Sequence, residues 1–263
     1  MYGVPVRPSY TMYRLLLLSL PCTPYSCQVA SSSLPDAAER TRLTRAAVVD
    51  RALELADKSG LDALTIRKLT TELGVTPMAL YWHFRGKEEL LDGLAERLWG
   101  EIDMTVDRDA PWTEQIRGLF ESLLKMLRAH PAAPELLMHS KKVADAGLKV
   151  TELTLDILRT AGLSPEDASF ATRSALWTGI SLVMSEPGFE SHDDAERAEL
   201  QRKKRVAMAT QSPATFPRLV ECALPMTACD DPEEHYRFGV DLFIGGLAAV
   251  AAARAGTARP SPA

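Results

Sequence analysis

The feature that most constrains the fold of this chain is a pair of short helical segments separated by one tight turn. The first segment begins at Thr65, and its apolar positions recur at helical spacing: Ile66, Leu69 and Leu73. Gly74 then makes the turn, and Thr76 is placed to cap a following helix with Pro77 at its first position, where a missing amide hydrogen costs nothing. Two short helices joined by a glycine-containing turn of about three to four residues predict a helix-turn-helix unit.

A longer helix is predicted on each side of this pair. Upstream, Thr44 can cap a helix that Gly60 ends in a left-handed conformation. The predicted apolar face of that helix comprises Val48, Ala52, Leu55 and Ala56. Downstream, Gly86 interrupts the chain, and the stretch from Lys87 to Trp99 has the pattern of a fourth helix. We place the resulting N-terminal domain at residues 41–99.

The remainder of the chain also has helical patterns. Between Trp112 and about His130, apolar residues recur at intervals of three and four: Ile116, Leu119, Leu123, Leu124 and Leu127. Further amphipathic stretches run at about 147–161, 165–185, 192–210, 213–224 and 232–254. Because no segment shows the period-two alternation of strands, we expect an all-α fold with a larger second domain at residues 100–254.

The two ends of the chain lack such patterns. Residues 1–40 are irregular and rich in Pro, Ser and Tyr, which predicts a disordered leader. The alternative is that a start codon too far upstream was assigned in error, with Met12 as one other possible start. A secretory signal needs an apolar core of about 7–15 residues, whereas Leu15–Leu20 spans six and contains Ser19. An exported all-α protein is therefore a minor alternative. The segment 255–263 is predicted to be a disordered tail.

Sequence signals of catalytic and metal sites are absent. The four cysteines have no C-x2-C spacing and no nearby histidine cluster: Cys22, Cys27, Cys222 and Cys229. There is also no H-E-x-x-H, no glycine-rich phosphate loop and no nucleophile–histidine motif. We expect no metal, no cofactor and no enzymatic activity, with an all-helical enzyme as the rival class. The unpaired thiols fit a reducing cytoplasm. The apolar run Leu242–Ala253 has 12 residues, fewer than the about 18 that span a bilayer, so no membrane partner is expected.

The charge distribution permits a phosphate-facing surface at the helix-turn-helix unit. The formal net charge of the whole chain is −5, which by itself argues against a nucleic-acid partner. Residues 40–90, however, hold nine Lys and Arg against seven Asp and Glu, whereas the rest holds 21 against 28. A mildly basic segment therefore lies beside an acidic remainder.

The predicted third helix has the residues that a DNA-reading helix needs. Its first turn is free of bulky branched side chains: Thr76, Pro77, Met78 and Ala79. Such a start can approach base edges in the major groove, where apolar groups meet the thymine methyl. Tyr81, Trp82 and His83 follow one turn later, and each ring carries a hydrogen-bond donor that suits a sugar-phosphate contact.

Two basic residues complete the predicted interface. Lys87 can add a charge-assisted phosphate contact, and Arg67 on the preceding helix can reach the bases, where arginine is the commonest partner of guanine. Other roles stay open: Trp82 can pack against the first helix, His83 can be an ordinary surface histidine, and Arg67 can be a solvated side chain. Leu80 and Phe84, four residues apart, are expected in the core.

The stretch TIRKLTTELGVTPMALYWHFRGKEELLDGLAERLW resembles the DNA-binding domain of the tetracycline-repressor (TetR) family of bacterial transcriptional regulators. The resemblance covers roughly Arg42 to Trp99 and combines the lead-in ending in ELGV, the LYWHF segment and the GK before the fourth helix. It implies that Arg67 reads a base, that 76–79 face the bases and that Thr65 caps a helix near the DNA backbone. It also implies three phosphate anchors: Tyr81, His83 and Lys87.

The last predicted helix extends the resemblance to the second domain. EEHYRFGVDLFIGGLAA is similar to the final helix of the tetracycline-repressor subgroup. This similarity implies a homodimer in which that helix and the one at about 165–185 pack against their copies as a four-helix bundle. Small residues and their neighbours mark the two expected contact stripes: Phe238, Leu242, Gly245 and Ala249, and Ala168, Ala171, Ala175 and Gly179. The alternative is that both helices pack only within one chain.

The expected ligand site departs from that of tetracycline repressor. The family member that binds a magnesium–drug chelate uses a histidine, and the matching stretch HPAAPELLMHS places 134–136 there, with His139 further on. We therefore expect a general apolar cavity and not a tetracycline site. The candidate wall residues are Phe120, Leu123, Met126, Leu127, His130, Met138, His139, Arg173, Trp177 and Met184.

The combined expectation is a ligand-responsive transcriptional regulator in the cytoplasm. It would bind a palindromic DNA operator as a homodimer, with two recognition helices about 34–36 Å apart, and be released by a small apolar effector of unknown identity. The resemblance favours repression, while activation or regulation without a ligand are the alternatives.

Overall fold

The computed structural model describes residues 43–139, 142–186, 194–227 and 231–257. Within these ranges the chain is helical and has no strand, which confirms the all-α prediction. The predicted leader, Cys22, Cys27 and Cys229 lie outside the described residues. The remaining cysteine, Cys222, is exposed and unpaired.

Eleven helices are present in the described part of the chain. The first four are α1 (Arg45–Ser59), α2 (Ile66–Leu73), α3 (Pro77–Tyr81) and α4 (Lys87–Trp99). The others are α5 (Trp112–Ala129), α6 (Ala133–His139), α7 (Asp145–Thr160), α8 (Pro165–Met184), α9 (Asp194–Ala209), α10 (Pro217–Cys222) and α11 (Pro232–Thr257).

The boundaries of the first three helices follow from their capping residues. The hydroxyls of Thr44, Thr65 and Thr76 each accept a hydrogen bond from the backbone N–H three residues later. These bonds satisfy amide groups that a helix start leaves without a partner. Gly74 adopts φ 64°, the left-handed conformation that a side chain disfavours, and ends α2 at the predicted turn.

The α1–α4 domain has a small core that holds the helix-turn-helix unit against its neighbours. Leu69 of α2 and Leu80 of α3 are fully buried, and Phe84 is almost so, as predicted for Leu80 and Phe84. Helices α1 and α4 cross closely because α4 has a glycine at the crossing. A β-carbon on Gly93 would lie only 3.1 Å from Val49 Cγ2.

Helix α5 runs through the larger domain and packs against α6, α7, α8 and α11. Its apolar residues Ile116, Leu119, Leu124 and Leu127 are buried, as the periodicity predicted. Helix α6 was not predicted, because Pro131 and Pro134 make its sequence resemble a loop. Pro134 is the second residue of α6, where its missing N–H has no helical partner to lose.

Helix α8 corrects one prediction about the contact stripes. Ala168 and Gly179 are buried, and a β-carbon on Gly179 would lie 3.3 Å from Leu123 Cδ2 of α5. Gly179 therefore allows α8 to approach α5 within the same chain, and the assignment of the buried Ala168 and Gly179 to a contact with a second subunit is wrong. The exposed apolar residues of α8 are Phe170, Trp177 and Met184.

Helix α11 is long and apolar. By length and hydropathy alone, Pro232–Arg254 is long and apolar enough to span a membrane. The uninterrupted apolar run Leu242–Ala253, with 12 residues, is too short to predict this. One side of α11, however, lies in the protein core: Tyr236, Val240, Ile244 and Leu247 are buried. The apolar character of α11 is therefore explained in part by packing against α5 and α8.

Candidate nucleic-acid interface and effector cavity

Helix α3 presents large side chains to solvent. Met78 is 67% exposed, Tyr81 is 49% exposed and Trp82, which caps the C-terminus of α3, is 83% exposed. The three positions have the i, i+3, i+4 spacing of one helix face. The alternative that Trp82 packs against α1 is therefore wrong. Thr76 and Pro77 are also exposed, and Ala79 is half-buried.

The segment after α3 is fixed to α1 by one arginine. The guanidinium of Arg45 donates to the carbonyl of His83 and to Glu89 Oε1, each at 3.0 Å, and lies 4.4 Å from the centre of the Phe84 ring. Glu89 also accepts from the Arg85 backbone N–H at 2.8 Å. The Arg85 N–H, and after it Arg45, hold the pKa of Glu89 below its usual value. The end of α3 is thus held rigidly while its outer face stays uncovered.

The other residues of the predicted interface precede or follow α3 in the sequence. Arg67 on α2 is exposed, and its guanidinium has no hydrogen-bond or ion-pair partner in the part of the chain that the structure describes. Thr65 is exposed at the start of α2, and its side chain is occupied by the cap. His83 is half-buried. Lys87 Nζ donates to the carbonyl of Leu61 at 3.2 Å, which uses one of the three ammonium donors.

Replacing Lys87 with alanine tests whether its remaining donors bind a phosphate. We expect weaker binding to all DNA sequences alike, and a salt dependence of log affinity whose slope is lower by about one. Fluorescence anisotropy with labelled duplexes over a range of salt concentrations measures both quantities. Lys149→Ala, which removes an exposed charge from α7, is the matched control and should leave the slope unchanged. An unchanged slope in Lys87→Ala would remove Lys87 from the interface.

A cavity of about 340 Å³ lies in the larger domain, next to the end of α4. Its apolar wall includes Trp99 and Ile102 and, from α5, Ile116, Leu119, Phe120 and Leu123. Helices α7 and α8 contribute the opposite wall, which contains four hydroxyl groups: Thr151, Thr154, Ser169 and Thr172. The size and mainly apolar lining are those of a small-molecule site.

The candidate wall residues are found in several different environments. Phe120, Leu123 and Arg173 line the cavity. Met126 and Leu127 are buried in the core, while Met138, Trp177 and Met184 are exposed, and none of these five is part of this cavity wall. The side chain of His139 is outside the described residues. The α7 residues were not predicted, because the prediction favoured Met, His and aromatic residues as wall residues. The sequence feature that could have predicted Thr151 and Thr154 is the presence of threonine on an otherwise apolar helical face.

His130 lies in a bridge between the two domains and not in the cavity. Its Nδ1 is 2.7 Å from Asp57 Oδ2 at the end of α1, and its Nε2 is 3.0 Å from Glu101 Oε2 just after α4. Carboxylate oxygens accept, so a ring N–H of His130 can donate to Asp57 or to Glu101. Asp57 Oδ1 also accepts from the backbone N–H of Ala132 at 3.1 Å. The cluster therefore links α1 to the segment that joins α5 and α6.

We expect His130→Ala to lower the free energy of unfolding by about 2 kcal/mol, because two partly buried carboxylates lose a shared donor. Urea denaturation at a fixed protein concentration measures the change. The control is Arg218→Ala, which removes an exposed ion pair with Glu221 within α10 and should change stability by less than about 0.5 kcal/mol. Equal effects of the two substitutions would show that the bridge contributes nothing beyond a surface pair.

Helices α8 and α11 leave an apolar surface uncovered. On α11 the predicted stripe is exposed along its length: Phe238, Leu242, Gly245 and Ala249. The two helices touch where a β-carbon on Gly239 would meet the Leu182 side chain. We call Phe170, Trp177, Met184, Phe238 and Leu242 the α8–α11 surface. Exposed apolar surface commonly marks protein interfaces.

Comparison with known proteins gives a consistent result. The family model for bacterial regulatory proteins of the tetR family matches residues 48–94, and the model for the tetracyclin repressor-like C-terminal domain matches residues 107–251. The class C tetracycline repressor protein of Escherichia coli is 32% identical over 219 residues, covering 78% of this chain and 91% of the repressor.

Solved structures show the same similarity. ActR of Streptomyces coelicolor in complex with actinorhodin has a TM-score of 0.70 at 25% identity, covering 80% of this chain and 97% of ActR. BioQ, solved with its double-stranded DNA operator, has a TM-score of 0.53 at 26% identity, covering 79% of this chain and 99% of BioQ. These relatives are regulators and not enzymes. With both of its domains matched, this chain belongs to the tetR family of bacterial transcriptional regulators.

Proposed function

We propose that this regulator represses transcription in the cytoplasm, as a homodimer that binds a palindromic operator through α2 and α3 and leaves it when a small apolar molecule occupies the cavity. The observation that carries the proposal is the uncovered face of α3, where Trp82 is 83% exposed in an otherwise well-packed domain. Large apolar rings without a protein partner indicate a surface that another molecule completes. The operator-bound BioQ structure supports DNA as that molecule.

In the proposed complex, the residues of the predicted interface contact either bases or phosphates. Arg67 reads a base edge in the major groove, and residues 76–79 lie close enough to contact bases. Tyr81, His83 and Lys87 bind phosphates, and Trp82 packs against the sugar-phosphate backbone next to them. Such contacts to phosphate fix the position of the helix, while Arg67 and the first turn of α3 supply sequence preference.

The α8–α11 surface supplies the dimer that a palindromic operator requires. A two-fold symmetric pair buries the same patch on both subunits, and this patch holds the large exposed side chains of two adjacent helices. The two recognition helices then enter successive major grooves about 34–36 Å apart. One subunit alone binds only a half-site and loses the gain in affinity that comes from two linked contacts.

The cavity is placed to influence the DNA-binding domain through α4. Trp99 is the last residue of α4 and lines the cavity, while the same helix crosses α1 at Gly93. A ligand that displaces Trp99 therefore shifts the helix on which α1 rests. To move the population of the DNA-binding form from 99% to 1%, the ligand must favour the other form by about 5.5 kcal/mol. The structure of ActR in complex with actinorhodin supports a small-molecule effector.

A binding and reporter experiment tests the proposal. The DNA flanking the regulator's own gene is titrated with purified protein, and the same DNA drives a reporter in cells with and without the regulator. We expect saturable binding that competing random DNA does not abolish, loss of binding in Trp82→Ala, and higher reporter output without the regulator. Binding with lower reporter output in its absence would identify an activator. Equal affinity for the flanking and random DNA would contradict a local operator.

A further inference from the structure

The hydroxyl groups on the cavity wall formed by α7 and α8 share one hydrogen-bonding polarity. The hydroxyl of Thr154 is 2.8 Å from the carbonyl of Val150, one turn earlier on α7. On α8, the Thr172 hydroxyl is 2.8 Å from the Ala168 carbonyl. A carbonyl oxygen can only accept, so each hydroxyl must give its single proton to the helix backbone. What these two side chains offer to the cavity is therefore acceptor lone pairs.

The remaining polar residues of the cavity lining are one further acceptor, one hydroxyl that can donate or accept, and one cationic donor. Ser169 is exposed on α8 and donates to the carbonyl of Pro165 at 2.7 Å, so it too presents an acceptor. Thr151 has no such bond within the described residues and can both donate and accept. Arg173, also exposed, lines the cavity and lies 5.3 Å from the centre of the Phe170 ring. Arg173 is the charged residue of the cavity lining, and its guanidinium is a cationic donor.

We propose that the cavity takes an aromatic molecule that carries hydroxyl groups along its body, which donate to Thr154 and Thr172, and an acidic group at one end, which binds Arg173. The apolar α5 wall and the rings of Trp99 and Phe120 contact the aromatic body. The inference rests on the proposed use of this cavity as the effector site. It adds the chemical class of the effector and the residues that select it.

A matched pair of compounds tests the hydroxyl requirement: 2,6-dihydroxynaphthalene and 2,6-dimethoxynaphthalene. The ether keeps the acceptor oxygens and the aromatic body but lacks the protons. Apolar burial alone favours the ether, because its methyl groups add surface. Isothermal titration calorimetry with the full-length protein should instead show the diol binding about tenfold more tightly, because each hydrogen bond to a hydroxyl acceptor of the wall contributes affinity. Equal affinity, or tighter binding of the ether, would overturn the inference.

Variants identify the selecting residues. Thr154→Val and Thr172→Val keep the side-chain shape and remove the acceptor, so each should weaken binding of the diol about tenfold and leave binding of the ether unchanged. Thr154→Ser keeps an acceptor and should retain the preference. Thr178→Val, on α8 but away from the cavity wall, is the control. If the Thr154 and Thr172 variants lose affinity for both the diol and the ether, the substitutions have changed the shape of the cavity. That result would also count against the inference.

The acidic end is tested with 6-hydroxy-2-naphthoate. We expect it to bind more tightly than the diol, and Arg173→Gln to remove that advantage without changing the affinity for the diol. Operator binding is measured separately, so the two proposals can fail independently. If DNA binds and none of the three compounds does, the ligand class is wrong while the regulator function stands. If the compounds bind as expected and no operator is found, the proposed function fails and the ligand class stands.

Discussion

Replacing Phe238 and Leu242 together with glutamate is expected to give a folded monomer that binds the operator more than about 100-fold more weakly than the wild type. Both side chains are exposed in the single chain, at 69% and 67%, so the substitutions leave the core of the protomer intact. In a dimer built on the α8–α11 surface they would bring four negative charges into an apolar contact, where unpaired charge is strongly unfavourable. The loss of operator affinity follows because one recognition helix then binds without its partner.

Sedimentation velocity measures the oligomeric state, circular dichroism checks that the variant remains helical, and anisotropy measures its affinity for DNA. Leu148→Glu is the matched control, since Leu148 is a 52% exposed leucine on α7, outside the α8–α11 surface. That variant should remain dimeric and bind DNA normally. If the Phe238 and Leu242 variant stays dimeric, the subunits associate through another surface. If it is monomeric and still binds the operator tightly, a single chain is sufficient for recognition.

Replacing Arg67 with alanine is expected to cost about 1–3 kcal/mol of operator binding, or about 5- to 150-fold in affinity. The preference for one base position in each half-site should relax at the same time. The reason is that an arginine fork donates two parallel hydrogen bonds to a guanine edge, and the described residues provide no other partner for this guanidinium.

Arg67→Lys separates the two possible roles of Arg67. Lysine keeps the positive charge but lacks the planar fork, so it replaces arginine adequately at a phosphate and poorly at a base edge. We expect Arg67→Lys to lose most of the base preference that Arg67→Ala loses, when both are measured on duplexes with single base changes. If Arg67→Lys binds like the wild type and Arg67→Ala weakens all duplexes equally, Arg67 is a phosphate contact.

The helix-turn-helix unit could be predicted from the sequence because its signals are local. Thr65, Gly74 and Thr76 act on backbone groups within three residues, so their chemistry determines the ends of α2 and α3 without distant contacts. The core assignment of Leu80 and Phe84 followed from their spacing alone. The sequence does not decide whether Trp82 packs against α1 or faces DNA. The exposure of a residue at the end of α3 depends on how α3 is oriented on α1, and no local sequence pattern specifies that orientation.

The larger domain was less predictable, because its site depends on how four helices pack. The small residues of α8 looked like a contact with a second subunit, and in the structure Gly179 allows close packing on α5 instead. Packing on α5 and packing against a second subunit both predict the same helical spacing of small residues. The chemistry of His130 predicts a ligand contact, but in the structure its partner is Asp57, 73 residues away in the sequence. Such long-range pairs have no signal in one sequence.

Selection of bound DNA from a random pool tests the central claim most directly. Wild-type protein is incubated with random duplexes, and the bound fraction is amplified and sequenced over several rounds. We predict enrichment of an inverted repeat whose half-sites are centred about 10–10.5 base pairs apart, or a multiple of that, with one half-site position losing its preference in the Arg67→Ala variant. Two results would contradict DNA reading by α2 and α3. The first is that the wild-type protein enriches no sequence. The second is that a variant lacking the side chains of Arg67, Tyr81 and Trp82 enriches the same inverted repeat.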